Sequence, residues 1–236
     1  MNKKIINTVL ALCVLFLVLI CWRSIADDQD FNADVEYREA QVKARLLNIR
    51  EAEEAYKLQN EEGAYCSDWD VLIDFVKNGK LPTVIKEGVL SDEQMEKGLT
   101  ESKAAAIVRS GDMAAIKANG LEGFKRDTIW VSLYDSLFAS KGVNPDSLRY
   151  ITFSDCDAEQ ADTFEIIACP NTMKSGAIQQ VMECNAPFSS YLKGMGKRGK
   201  RAIMNRTQEA EEKGAYAGWK IGEAGNGWNN NAGNWE

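Results

Sequence analysis

The sequence predicts an α+β protein in which an N-terminal transmembrane helix continues into a long amphipathic helix packed on an antiparallel β-sheet meander. Three observations carry this reading. An apolar stretch opens the chain, a run without proline or glycine and with helical apolar spacing follows it, and short strand-like segments with tight turns fill the middle.

The first element is the apolar stretch over residues 5–22. Its 18 residues hold only Asn7, Thr8 and the Trp22 indole as polar groups. That is about the shortest length that crosses a hydrocarbon core of roughly 30 Å. Ile5, Leu10, Leu15, Leu19 and Trp22 mark the expected bilayer contact. Lys3 and Lys4 on one side and Asp27, Asp28 and Asp30 on the other orient the N-terminus to the cytoplasm and send the remainder outward. An uncleaved signal-anchor is the favoured fate, giving a single-pass inner-membrane protein with a periplasmic domain. Cleavage after Ala26 and lipidation at Cys21 stay open.

The second element covers residues 31–60, where Val35, Val42, Leu46, Ile49, Ala52 and Tyr56 recur at helical spacing. Glu39 and Lys43, like Glu53 and Lys57, stand in the favourable i, i+4 order. A heptad reading puts Arg38, Arg45 and Ala52 at the second seam position, which makes a poor coiled coil. The stripe is therefore expected to pack on the protein's own domain. Glu61-Glu62-Gly63 ends this helix. Ser67-Asp68-Trp69-Asp70 opens a short one with Leu72, Ile73, Phe75 and Val76 on its buried face, and Asn78-Gly79 with Pro82 stops it.

Beyond Pro82, strands are expected over 83–86, 128–133, 148–153, 163–169 and 177–183. Helical and loop material fills 91–126, and a helix is expected over 201–213. The basic run Lys197-Arg198-Gly199-Lys200-Arg201 reads as a solvated loop. The Gly- and Asn-rich tail is expected to dock partly through Trp219, Trp228 and Trp235. The chain of 236 residues thus divides into a cytoplasmic stub with signal-anchor (1–26), a stalk helix (27–62), an extracytoplasmic α+β domain (63–192) and a C-terminal extension (193–236).

Composition narrows the chemistry. There is no histidine, so the usual neutral-pH base and the Ser-His and Cys-His pairs are missing. A net charge of −7 disfavours nucleic acid and anionic lipid as partners. Cys66, Cys156, Cys169 and Cys184 allow two disulfides in any of three pairings, or stand as buried thiols. The acids Asp68, Asp70 and Asp74 read as helix-start residues, and Asp155, Asp157, Glu159 and Asp162 as a solvated turn. No catalytic, cofactor or metal site is expected, and no cofactor.

The stretch Ala52-Glu53-Glu54-Ala55-Tyr56, followed by Gly63-Ala64-Tyr65, Trp69, Leu72 and Leu81-Pro82, resembles the neck of type IV pilins and pseudopilins over about residues 5 to 85. The processing glycine and helix glutamate of that family have no counterpart here, since Lys4-Ile5 stands at the junction and residues 5–22 hold no acid. The whole chain, with its ending Asn229-Asn230-Asn231-Ala232-Gly233-Asn234-Trp235-Glu236, also resembles membrane-anchored envelope proteins of the Bacteroides-type lineage. The resemblance implies a non-catalytic, anchored subunit of an envelope assembly with protein partners and, as one option, a homo-oligomer. A periplasmic ligand-binding or sensing module and a carboxylate-based hydrolase are the alternatives.

Overall fold

The structure is a computed structural model and describes residues 3–154, 161–173, 175–224 and 231–236. Cys156, Asp155, Asp157, Glu159 and Trp228 lie outside the described residues, and so does the side chain of Ile5. The fold class is α+β, with a long apolar N-terminal helix and two antiparallel sheets. The chain forms two compact units, residues 1–73 with 144–236, and residues 74–143.

The first unit is organised by helix α1, Lys3–Gln59, which runs without a break for 57 residues. At 1.5 Å per residue it is about 85 Å long. Its N-terminal part is long and apolar enough to cross a membrane and is exposed on every side, as lipid would require. Further along, one stripe is buried: Val35, Val42, Leu46, Ile49, Ala52 and Ala55. The expected stripe therefore packs within the unit. The arginines that spoil a heptad seam have a different task. Arg38 donates to the carbonyls of Tyr191 and Lys193 at 2.8 and 3.1 Å, and Arg45 to those of Ser147 and Tyr150 at 2.7 and 3.0 Å. Arg50 reaches the Asn231 carbonyl at 3.0 Å. Irregular segments offer unpaired carbonyls, and the long guanidinium side chains of the helix satisfy them.

Gly63 follows α1 with φ +61°, a left-handed turn that residues with a side chain rarely adopt. Helix α2 (Trp69–Asn78) comes next, and its cap is Asp68 rather than Ser67. The Asp68 carboxylate accepts the backbone N–H groups of Asp70 and Val71 at 2.8 and 3.3 Å. The three-stranded sheet of this unit is built from β3 (Glu165–Thr172), β4 (Ile178–Pro187) and β5 (Gly218–Gly222), in the order β3-β4-β5. Central β4 supplies the buried Val181, Met182, Cys184 and Ala186, and Ile221 of β5 joins them.

Three expectations need correcting. Residues 148–153 form no strand. They hold a 3-10 end and turns, with a single bridge between Tyr150 and Thr163. The segment 193–236, expected as an extension, contributes helix α8 (Gly196–Glu212) and strand β5 to the sheet unit. Its five-residue strand was hidden because Gly218-Trp219-Lys220-Ile221-Gly222 is framed by glycines, which read as loop. The basic run is accordingly the first turn and a half of a helix, not a loop.

In the second unit β1 (Lys80–Glu87) pairs antiparallel with β2 (Lys125–Ser132), from Lys80↔Ser132 to Glu87↔Lys125. This ribbon is a sheet of its own, so the expected single meander is split in two. Helices α3 (Asp92–Glu96), α4 (Glu101–Ser110) and α5 (Met113–Ala118) lie between its strands in sequence. They bury Leu90, Ala104, Leu121 and Phe124 as a small core. Ser91 and Gln94 form a reciprocal capping box at α3, while Thr100 and Asp112 cap α4 and α5. Short helix α6 (Leu133–Leu137) follows β2.

Gly218 tests the sheet. A Cβ there would collide with the Ala186 carbonyl and stand 2.7 Å from the Pro187 Cα, both on the neighbouring strand β4. Gly218→Ala is expected to cost about 2–3 kcal/mol as an overpacking change, read as a fall in Tm of several degrees in thermal unfolding.

Candidate functional site

Glu53 lies on the apolar stripe of α1, between Ala52 and Ala55, and is fully buried. Its Oε2 accepts the Cys66 backbone N–H at 2.8 Å, while Oε1 has no hydrogen-bond partner. A carboxylate with one satisfied oxygen and no counter-cation is costly to keep charged in an apolar core. Burial pushes its pKa up to about 8, against the opposing pull of the Cys66 N–H. Glu53 is thus a neutral acid over much of the pH range around neutrality. The stretch Ala52-Glu53-Glu54-Ala55-Tyr56 has one glutamate inside and one outside: Glu54 is exposed and accepts the Asn231 amide at 3.2 Å.

The described cysteines of this unit's folded part are thiols. Cys66, Cys169 and Cys184 are all free, so no disulfide joins these described residues. The Cys66 sulfur contacts the Asp68 carbonyl at 3.2 Å. Burial first, and the nearby Glu53 charge second, push the Cys184 thiol well above its usual range. Burial also raises Cys66, which makes both poor nucleophiles.

Around the tail end of the unit, aromatic rings gather on α1 and α7 (Phe188–Tyr191). Trp219 stands edge-on to Phe188 and to Trp235, at 5.9 Å in each case. Lys43 of α1 places its Nζ 3.8 Å from the Trp219 ring centre and 5.6 Å from that of Trp235. The expected docking of the tail therefore holds for these two tryptophans, and its anchor is a cation on the stalk. Arg206 of α8 pairs with Glu39 of α1 and lies 5.7 Å over Phe188. Between them opens a cleft of about 340 Å³, walled by Phe188, Tyr216 and Trp219 with Glu39, Arg206 and Asn234 on its rim.

A second cleft of about 550 Å³ shares Tyr216 and is more polar, with Asp162, Thr163, Glu165, Asn185 and Ser190. Asn185 is buried and donates its amide to Glu183 at 2.9 Å, but its carbonyl oxygen has no partner. Burial alone would raise Glu183. The Ala224 N–H, the Asn185 amide and Lys220 together hold its carboxyl below the usual range. Tyr216 is pushed up to about 12 by burial and then by Glu165 and Glu183. The two acids of this cleft, Asp162 and Glu165, come from one stretch of chain rather than from separate strands. Among the described residues no three acids or cysteines converge as a metal would require.

The sequence reading named neither Glu53 nor these clefts as a site. A glutamate amid the alanines of an apolar stripe was the available signal for the first. The clefts join residues far apart in the chain and carried no signal. Of the acids read as helix-start residues, Asp68 caps α2 and Asp70 stands in its first turn and pairs with Arg149, whereas Asp74 lies in mid-helix and accepts the Asn78 amide at 2.7 Å. No family model matches the chain, no curated protein matches it, and no solved structure does.

A carboxyl whose folded pKa is raised stabilises the fold fully below the unfolded value of about 4.5, and that contribution is lost as pH rises towards 8. Glu53→Gln keeps the shape without the titration. Its stability relative to wild type is expected to grow by about 1.4 kcal/mol per pH unit across that window. Denaturant unfolding at a series of pH values checks it, and a pH-independent difference would contradict it.

Proposed function

We propose that this protein is a membrane-anchored, non-catalytic extracytoplasmic subunit of a cell-envelope assembly, of pilin-like build. One observation carries the reading: the helix apolar enough to span a bilayer is the same unbroken α1 whose stripe forms the core of the first unit. A domain built on its own anchor transmits position and force directly, because no flexible linker separates them. In this reading Lys3 and Lys4 stay in the cytoplasm, the folded units lie outside in the periplasm, and the free thiols of Cys66 and Cys184 are shielded there by burial.

The second unit offers a surface for partners. On its two-stranded ribbon Trp130 is 61 % and Val84 50 % exposed, and Trp130 is paired with Pro82, two residues from Val84 on the same face. A two-stranded ribbon with a bare tryptophan gains from being covered. A photo-crosslinking amino acid at position 130, in cells, is expected to capture another envelope protein or a second copy of this chain. The protein itself is expected to stay in the membrane fraction after alkaline extraction. A lone, extractable monomer would sink the reading.

A ligand-binding module is the second reading, favoured by the aromatic cleft and by the unpaired Asn185 oxygen in the neighbouring one. Titration with aromatic amino acids and simple sugars is expected, on this reading, to quench tryptophan fluorescence saturably, and Trp219→Phe to weaken binding at least several-fold. An unchanged signal across the panel would leave the scaffold reading alone.

A further inference from the structure

Helix α8 carries its charges in an unusual order. Lys197, Arg198, Lys200 and Arg201 crowd its start, whereas Glu209, Glu211 and Glu212 crowd its end. The helix dipole favours the reverse arrangement, acids first and cations last. All four cations are exposed, and Lys197, Lys200 and Arg201 have no ion pair with any described residue. At spacings of three, four and seven from Lys197 they share a face with Met204, an exposed apolar side chain. On a chain of net charge −7 this is a concentrated positive patch.

Its position gives the patch a meaning. Arg198 donates to the Asp27 carbonyl at 2.6 Å and pairs with the Asp28 carboxylate at 3.2 Å. Eight residues on, Arg206 pairs with Glu39. These two rungs make α8 run in the same direction as α1, with its basic end at the foot of the unit. Asp27 lies five residues past Trp22, the last residue of the apolar stretch. That is a rise of about 7 Å along the helix, within reach of the polar headgroup layer beyond the hydrocarbon core. Arg23 lies in the same layer. The acids at this level are Asp27, Asp28 and Asp30, and Asp28 is already paired with Arg198. The five cations outnumber them.

We infer that the face formed by Lys197, Lys200 and Arg201 docks on anionic phospholipid headgroups of the leaflet from which α1 emerges, seating the folded unit on the bilayer surface. The inference rests on the anchored reading proposed above. Positive side chains held at headgroup depth gain from negative lipid. The long aliphatic stems of lysine and arginine, together with Met204, suit the apolar–polar boundary.

The test uses the full chain in nanodiscs of phosphatidylcholine doped with spin-labelled phosphatidylglycerol or, separately, spin-labelled phosphatidylcholine. Wild type is expected to immobilise the anionic label preferentially at low salt, with the preference fading as salt is added. The triple variant Lys197→Gln, Lys200→Gln, Arg201→Gln is expected to lose selectivity, on the order of 5-fold per cation removed. Its melting temperature is expected to stay that of wild type, because these side chains hold no other part of the fold. Equal immobilisation of both lipids by wild type, or unchanged selectivity in the triple variant, overturns the inference and leaves the anchor standing. Failure of the chain to enter either disc overturns the anchor and the inference together. Loss of a crosslinked acidic protein in the variant, with lipid selectivity unchanged, assigns the patch to that protein and overturns the lipid assignment.

Discussion

Helix α1 combines a stretch long and apolar enough to cross a membrane with a stripe that a folded unit buries, on one unbroken backbone. Over residues 5–22 every side chain can face hydrocarbon, so the sequence there is apolar all round. From Val35 onward only one stripe is buried, and the other faces carry charge. Because a helix holds its own backbone hydrogen bonds, one unbroken helix suits both environments in the anchored reading proposed above. The rest of the first unit follows from that constraint. Sheet β3-β4-β5 and helix α8 pack where the stripe lies, and Arg38, Arg45 and Arg50 reach off the helix to close the irregular segments around it.

The burial of Glu53 is the one place where this stripe departs from apolar chemistry. Its position is fixed by α1, and its partner is the N–H of Cys66 in the segment that leads to α2. The acid thus ties the end of the stalk to the returning chain through a bond that does not need charge. A neutral carboxyl of this kind makes the neck firmest at mildly acidic pH. The buried cysteines around it add volume and no reactivity, since burial and the same carboxyl both suppress their thiolates.

Charge is sorted along the first unit as well. Glu209, Glu211 and Glu212 close α8, and the cations of its opening turns stand level with Asp27 and Asp28. An acidic body with a basic foot stays soluble and repels anionic surfaces everywhere except at its base. That polarity suits a domain suspended from a helix above a charged plane. It belongs with the proposed role as an anchored envelope component, in which orientation relative to the membrane is part of the task.

Residues whose role is set by near neighbours were legible from the amino-acid order. The anchor, the stripe from Val35 to Ala55, the capped helix after Asp68 and the strands β1 to β4 all follow from periodicity and turn residues acting within a few positions. Residues whose role depends on distant partners were not. Arg38 and Arg45 looked like faults in a seam until carbonyls of residues 147–193 came against them. Glu53 looked like one more surface acid until α1 was packed, and the basic run looked like a loop until its helix lay beside Asp27 and Asp28. Strand β5 exists only because β4 offers an edge for glycine-framed residues to pair with. The sequence by itself determined the α+β plan with its long apolar N-terminal helix, because hydrophobic period and helix and turn propensity are local. The tertiary structure alone decided which charges are buried, paired or left bare, because the energy of a charge depends on what stands within a few ångströms of it.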